Sequence, residues 1–201
     1  MAETKIKLCG MMRPADVINA KYLGADYVGF VLTEGFRRTV SLGTFCELRS
    51  YLTGSKVRQV GVFVDEPIEN IIKYYAEMLD VIQLHGNENE TYIRSLKMLI
   101  SKPVIKAFTV RSEADLEAAR ASSADRVLLD SGTGTGKAFD HSLIKDFDRP
   151  FFLAGGLNAE NVAAAIDALH PYAVDASSGI ETDGHKDKKK MTAFVEAVRK
   201  G

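Results

Sequence analysis

Two short loops in the last third of the chain have the composition of an anion-binding site. The loop at 154–158 reads Ala-Gly-Gly-Leu-Asn, the loop at 177–179 reads Ser-Ser-Gly, and each follows a short apolar run. Such turns leave backbone N–H groups pointing outward, and two neighbouring loops of this kind form a cup of amide donors for a phosphate monoester. The residues predicted to bind phosphate are Gly155, Gly156, Ser177, Ser178 and Gly179. A small phosphorylated metabolite is therefore the predicted ligand.

Reactive side chains follow other apolar runs of the chain. If the apolar runs are counted along the chain, Cys9 ends the first run (5–9), His85 follows the fourth (81–84) and Asp130 follows the sixth (126–129). Arg37 and Arg38 lie shortly after the second run. A thiol, a carboxyl group and a guanidinium that meet in one site suit acid–base chemistry on a sugar phosphate. Each also has a structural interpretation, because a cysteine is often a small buried hydrophobe, an aspartate often caps a loop, and paired arginines are often solvated.

Eight short β-branched runs alternate with helical patterns and predict the elements that position these side chains. The predicted strands are 5–9, 27–32, 57–64, 81–84, 104–108, 126–129, 151–154 and 173–176, and the helices begin near Pro14, Leu42, Pro67, Glu88, Ser112, His141, Asn158 and Lys186. The strands are mostly apolar on both faces, as in buried parallel sheets. Eight βα units predict a (β/α)₈ barrel of the α/β class, in which the carboxyl ends of all strands meet at one mouth. A doubly wound open sheet is the alternative, but the turn at 9–12, Cys-Gly-Met-Met, lacks the glycine-rich pattern of that fold.

The composition limits the classes of partner. With 201 residues, 46% hydrophobic content and no linker-like segment, the chain is predicted to form one domain over 1–201. A net charge of −1 predicts no general attraction for nucleic acid or an anionic membrane, and no apolar run reaches the ~18 residues of a membrane span. Two cysteines and the absence of a signal-peptide pattern predict a cytoplasmic protein. Spacings typical of metal ligands are absent, so neither a metal nor another cofactor is expected.

The ordered set of motifs resembles the phosphoribosylanthranilate isomerase family, a barrel family of tryptophan biosynthesis. The matching segments are 7–10 (KLCG), 24–30 (GADYVGF), 38–41 (RTVS), 60–64 (VGVFV), 83–86 (QLHG), 128–130 (LLD), 134–140 (GTGKAFD), 154–162 (AGGLNAENV) and 174–181 (VDASSGIE). Together they cover nearly the whole chain. The departures from the family pattern are Thr133 in place of a glycine and His141 in place of a tryptophan.

The resemblance implies an Amadori rearrangement of N-(5-phosphoribosyl)anthranilate by general acid–base catalysis. It implies that Asp130 is the acid, that Cys9 is the base and that Arg38 binds the anthranilate carboxylate. It also implies that His85 and Asp175 lie near the sugar hydroxyls. An ordinary cysteine with a pKa of about 8.5 is mostly protonated at neutral pH. A lowered thiol pKa would therefore help, and the helix that begins just after Cys9 is expected to supply part of that lowering.

Two other functions remain open from the sequence. A sugar-phosphate aldolase would need a Schiff-base lysine inside the barrel, and Lys106 is the candidate. A barrel without catalysis could instead bind a phosphorylated metabolite as a regulator. A monomer is preferred over a homodimer, because no long exposed apolar segment calls for a partner.

Overall fold

Eight parallel strands close into a barrel in the computed structural model, which describes residues 3–130, 144 and 146–200. The strands are β1 (Lys5–Cys9), β2 (Tyr27–Val31), β3 (Arg58–Phe63), β4 (Val81–Leu84), β5 (Val104–Thr109), β6 (Arg126–Asp130), β7 (Phe151–Ala154) and β8 (Ala173–Ala176). Each strand pairs with the next in chain order, and β8 pairs with β1 to close the ring. The predicted barrel is confirmed, and the open doubly wound sheet is wrong for this chain.

Helices surround the barrel. Those in the described part of the chain are α1 (Pro14–Tyr22), α2 (Leu42–Ser50), α3 (Ile68–Tyr74), α4 (Glu90–Leu99), α5 (Glu113–Ala121), α6 (Val162–Leu169) and α7 (Lys188–Lys200), with 3₁₀ turns at Ala76–Met78 and Ser178–Ile180. None of the described helices combines the length and the apolar character needed to cross a bilayer. The helix predicted to begin near His141 lies outside the described residues.

Capping side chains explain where several helices begin. Pro14 is the first residue of α1, a position where its missing N–H costs nothing. Ser41 accepts a hydrogen bond from the Thr44 N–H at the start of α2, and Ser112 forms a capping box with Asp115 at the start of α5. These three predicted starts are confirmed.

Two predicted helix starts are displaced by two to four residues along the chain. α4 begins at Glu90 rather than near Glu88, since the Asn89 side chain accepts a hydrogen bond from the Tyr92 N–H. α6 begins after Asn161 rather than near 158, because residues 158–161 form a separate hydrogen-bonded turn.

A small hairpin after β8 was not predicted. Strands β9 (Glu181–Thr182) and β10 (His185–Lys186) pair antiparallel around Asp183 and Gly184, both of which have positive φ angles (50° and 79°). The hairpin displaces the helix predicted to begin near Lys186, so that α7 begins two residues later. An Asp-Gly pair between short strands is a strong hairpin signal, and it could have revealed this element.

The strands alternate between two environments. Ile6 and Leu8 of β1 pack in the core between barrel and helices, whereas Lys7 and Cys9 face the barrel interior. The apolar side chains of the interior are Tyr27, Val60, Val81, Ile105, Ala107, Leu128, Phe152, Ala154 and Ala173. Because successive side chains of a strand point to opposite faces, each polar side chain lies either inside the barrel or on its helix side. Only those inside the barrel can reach the mouth.

Candidate active site

A cavity of about 640 Å³ opens at the mouth where the strands end. Its lining residues are Cys9, Val31, Phe36, Arg37, Arg38, Val62, Val64, Gln83, His85, Asp130, Ala154, Gly155, Gly156, Leu157, Asp175, Ser177, Ser178 and Gly179. Every residue predicted for the site is among them. Residues from β1, β4, β6, β7 and β8 thus meet in a single cavity, as the barrel geometry requires.

Cys9 reaches this cavity because its neighbour on β2 has no side chain. Gly29 pairs with Cys9 in register, and a Cβ at that position would lie only 2.5 Å from the Cys9 sulfur. The Gly10 and Met11 N–H groups both donate to the Gly29 carbonyl oxygen, at 2.9 and 3.0 Å, and end the strand there. The thiol therefore occupies a space that these two strands leave for it.

A buried ion pair lies directly behind the thiol. Lys7, two residues earlier on the same strand face, is fully buried and donates to Asp175 Oδ2 at 2.6 Å. Burial lowers the pKa of Lys7, but the attraction of Asp175 and Cys9 outweighs it and leaves that pKa above its usual value. Lys7 is therefore an ammonium group held between a carboxylate and a thiol.

The pKa of Cys9 is raised rather than lowered. Burial is the largest cause, the charge of Lys7 opposes it, and the charge of Asp175 adds to it. The expectation that the following helix would leave this thiol with a lowered pKa is therefore wrong. α1 begins only at Pro14, and the loss of hydration at the end of β1 dominates.

Asp130 ends β6 and faces the cavity opposite a histidine. His85 Nε2 lies 3.7 Å from Asp130 Oδ2, and His85 Nδ1 lies 2.9 Å from the Gln83 amide nitrogen. Nε2 is therefore the ring nitrogen of His85 that faces the carboxyl group. Gln83 was not assigned a role from the sequence, although it stands two residues before His85 on the same strand face.

A buried carboxylate gathers three cations at the edge of the cavity. Glu181 accepts two hydrogen bonds from Arg38, Nε at 2.7 Å and Nη2 at 2.9 Å, and one each from Arg37 and Lys186, both at 2.6 Å. Burial raises the pKa of Glu181, but the hydrogen bonds from Arg38, Lys186 and Arg37 outweigh it and bring that pKa to about 2. The cluster keeps a net positive charge beside the cavity.

Lys186 and Glu181 lie at the edge of the cavity, and the sequence interpretation gave neither of them a role in the site. Lys186 was assigned to a helix start, yet its side chain is buried and links the hairpin to the loop after β8. Glu181 lies in the segment 174–181, which matches the family pattern, but no role was predicted for it. The alternation of buried and exposed residues along a two-residue strand is too short a signal to have shown either of them.

The two glycine-containing loops pack closely against each other. Gly155 and Gly156 have positive φ angles (104° and 62°), which a side chain would disfavour. A Cβ at Gly179 would collide with the Leu157 carbonyl oxygen of the other loop. Asn161 fixes that loop by donating to the Gly156 carbonyl at 3.1 Å. The structure brings both predicted phosphate loops together.

The loop after β8 begins a 3₁₀ turn at Ser178–Ile180, whose first N–H groups have no partner within the turn. The Ser177 hydroxyl, by contrast, is engaged within the protein. It donates to the Cys9 carbonyl oxygen at 3.1 Å and lies 3.3 Å from the Lys186 Nζ. The backbone amides, rather than this hydroxyl, are therefore the groups available to an anion.

Lys106 does not reach the cavity. It stands one position out of phase with the inward residues of β5 and is buried on the helix side of the strand. Its Nζ donates to the Gly86 carbonyl at 2.6 Å and to Glu88 at 2.9 Å. The prediction that Lys106 lies inside the barrel is wrong, because the period of two turns it outward. The other cysteine, Cys46, is exposed on α2.

One matching motif and both departures from the family pattern fall on residues that the structure does not describe. The motif at 134–140 and the departures at Thr133 and His141 lie outside the described residues. Within the ranges that the structure describes, no group of three or more histidine, cysteine, aspartate or glutamate side chains could hold a metal ion.

Known proteins resemble this chain over almost its full length. The family model for N-(5'phosphoribosyl)anthranilate (PRA) isomerase matches residues 6–197. The N-(5'-phosphoribosyl)anthranilate isomerase of Endomicrobium trichonymphae is 43% identical, with 97% of this chain and 98% of that protein covered. The crystal structure of phosphoribosyl anthranilate isomerase from Thermotoga maritima has a TM-score of 0.89 at 36% identity, with 98% and 100% covered. A structure of phosphoribosyl anthranilate isomerase in complex with reduced 1-(o-carboxyphenylamino)-1-deoxyribulose 5-phosphate has a TM-score of 0.87 at 36% identity and the same coverage.

Proposed function

Because the chain belongs to the N-(5'-phosphoribosyl)anthranilate isomerase family, we propose that its cavity converts N-(5-phosphoribosyl)anthranilate to 1-(2-carboxyphenylamino)-1-deoxyribulose 5-phosphate. The chain is an isomerase of tryptophan biosynthesis, and the assignment of its residues is our proposal. The observation that carries it is the presence of a thiol, a carboxyl group, a guanidinium and two amide-bearing loops around one cavity.

The reaction needs an acid and a base in sequence. Asp130, as the carboxylic acid, gives its proton to the furanose ring oxygen while the bond from that oxygen to C1 breaks, which leaves a carboxylate and an iminium ion. Cys9, as the thiolate, then takes the proton from C2 and becomes a thiol, and the resulting enolamine tautomerises to the ketone. Each such proton transfer typically contributes ~10²–10⁴-fold to the rate.

Asp130 must hold a proton when the substrate is bound. An ordinary aspartate with a pKa of about 3.9 is ionised at neutral pH. Exclusion of water by the substrate, together with the negative charges of its phosphate and carboxylate, raises a carboxyl pKa. The bound substrate thus supplies the conditions under which Asp130 keeps its proton.

Arg38 presents one edge of its guanidinium to the substrate carboxylate. Among the described residues, Glu181 binds the Nε–H and one N–H of Nη2, which leaves the two N–H groups of Nη1 and the second N–H of Nη2 for a ligand. That edge matches the two oxygens of an anthranilate carboxylate. Arg37 shares the same carboxylate partner but is about half exposed, which makes it a secondary contact.

Two buried acceptors on the cavity wall are suited to the sugar hydroxyls. Asp175 Oδ1 and Gln83 Oε1 are buried and have no hydrogen-bond partner among the described residues. Buried oxygen atoms of this kind are rarely left without a donor. We therefore assign both to the pentose and keep His85 as a third contact. The amides of the two glycine-containing loops bind the phosphate and hold the pentose between acid and base.

The assignment is tested by following the loss of fluorescence of freshly made phosphoribosylanthranilate. Cys9→Ser and Asp130→Asn should each reduce kcat by several orders of magnitude without loss of the folded barrel. Cys46→Ser is the matched control and should retain the activity of the unchanged chain. Near-normal turnover by either active-site variant would remove the role assigned to that residue, and an inactive unchanged chain would favour the non-catalytic alternative.

The remaining properties stay predictions. We propose that residues 1–201 act as one domain, as a monomer and in the cytoplasm. The most exposed large apolar side chains, Tyr22 and Met98, lie on different helices, α1 and α4, which supports a monomer. Light scattering on the purified chain at micromolar concentration would give the oligomeric state directly, and a dimer mass would refute this part of the proposal.

A further inference from the structure

Lys7 is a buried charge that the proposed acid–base chemistry does not use. Its side chain has no solvent exposure, and its position on β1 points it into the barrel directly below Cys9. Asp175, opposite it in register on β8, is its ion-pair partner at 2.6 Å. Removing an ammonium group from water is unfavourable unless it is paired, and an apolar pair of similar volume would fill the same space at no greater cost. Packing alone therefore does not explain why a lysine lies at position 7, beside the thiol.

We propose that Lys7 is a positioning residue that holds a positive charge against the Cys9 sulfur and stabilises its thiolate during turnover, with Asp175 fixing the lysine in place. This inference rests on the proposed function, because it explains how Cys9, the proposed base, is stabilised in its deprotonated form. Lys7 keeps its proton through the cycle. The thiol proton leaves to solvent through the cavity before turnover, and the sulfur alone accepts the proton from C2.

The charges around the sulfur support this assignment. Lys7 on β1, Lys186 on β10 and Arg38 after β2 are the cations that act on it, and Asp175 on β8 is the anion. Lys7 makes the largest contribution in favour of the thiolate and also acts by hydrogen bonding. Lys186 is already bound to Glu181 and Ser177, and Arg38 is bound to Glu181. Lys7, two residues before Cys9 on the same strand face, is thus the cation that we assign to the sulfur.

The test measures the thiol directly, in the full chain carrying Cys46→Ser so that Cys9 is the only cysteine. The rate of alkylation by iodoacetamide against pH gives the apparent pKa of the Cys9 thiol. Lys7→Gln keeps the shape and a hydrogen-bond donor toward Asp175 but removes the charge. We expect it to raise the apparent pKa by at least about 1, which lowers the thiolate fraction at pH 7 about tenfold. Lys5→Gln, on the same strand but paired with Asp26 at the surface, should leave the pKa unchanged.

Turnover provides the second measurement. If Lys7 acts through the thiolate, kcat of Lys7→Gln should fall about tenfold or more at pH 7, recover as the pH rises, and leave KM nearly unchanged. A purely structural role predicts an equal loss of kcat at every pH with an unchanged thiol pKa, and that result would overturn the inference.

A second variant covers the possibility that Lys7→Gln does not fold. Lys7→Gln combined with Asp175→Asn removes both charges and leaves none unpaired. Because the effect of Lys7 exceeds that of Asp175, the thiol pKa of this double variant should still rise, by less than in the single variant. A thiol pKa equal to that of the Cys46→Ser parent in either variant refutes the proposal. Since alkylation needs no substrate, an unchanged chain without isomerase activity would refute the proposed function separately.

Discussion

The space that Gly29 leaves for the Cys9 thiol leads to a sharp prediction about activity. A methyl group at position 29 would lie 2.5 Å from the sulfur, whereas ordinary van der Waals contact begins at 3.4 Å. Gly29→Ala must therefore displace the thiol by about 1 Å or rotate it out of the cavity. A misplacement of ~1 Å can reduce the rate ~10²-fold. We expect kcat to fall by about that factor, and the strain to lower the free energy of unfolding by about 1–3 kcal/mol.

The control for this prediction is another glycine in the barrel wall. A Cβ at Gly61 on β3 would press on Leu79 and Phe63, which belong to the core outside the barrel, and would not touch Cys9. Gly61→Ala should lose a similar amount of stability but keep kcat within a few-fold. Steady-state kinetics and urea unfolding on both variants give the two quantities. Normal kcat and normal alkylation of the thiol in Gly29→Ala would refute the argument that this glycine positions the base.

Three further predictions concern the edge of the cavity. Glu181→Gln removes the charge that orients Arg38, so KM for the substrate should rise about tenfold, or about 1.4 kcal/mol, with a smaller change in kcat; an unchanged KM in the fluorescence assay would contradict this. Because the pKa of Glu181 is lowered to about 2 in the folded chain, its contribution to stability is fully present above about pH 4.5 and is lost as the pH falls towards 2. Urea unfolding should show up to about 3 kcal/mol of this loss in the unchanged chain and a flatter profile in Glu181→Gln. Gly179→Ala forces the two loops apart at the Leu157 carbonyl, so inhibition by inorganic phosphate should weaken about tenfold or more, and an unchanged inhibition constant would show that the loops do not form the anion site.

The barrel could be predicted from the sequence because its signals are local. Apolar runs of four to six residues separated by capped helices specify each βα unit, and the Ser112 and Asp115 pair shows how closely a helix start can be read. The residues at the ends of those runs meet at the mouth whatever their distance in the chain. The contents of the candidate cavity were therefore predictable once the strands were known.

The electrostatics of the site could not be predicted in the same way. Lys7 and its partner Asp175 are 168 residues apart and meet only through the register of β1 with β8. The raised pKa of Cys9 depends on burial by strands that are distant in sequence. The position of Lys106 was predicted wrongly for a related reason. Neighbouring residues of β5 point to opposite faces of the barrel wall, so an error of one residue moves a side chain from the inside of the barrel to the outside.

The pairing of β8 with β1 has a consequence for how the enzyme is made. The thiol and Lys7 belong to the first strand, whereas Asp175 belongs to the last and Ser177, whose hydroxyl donates to the Cys9 carbonyl, directly follows it. A nascent or partly refolded chain that has formed only its central strands has neither an anchored lysine nor a phosphate-binding loop beside the thiol. Ring closure is also the strand pairing of greatest sequence separation in the barrel and hence a slow step. The return of catalysis during refolding should thus report the joining of the two ends, later than the recovery of helical circular dichroism.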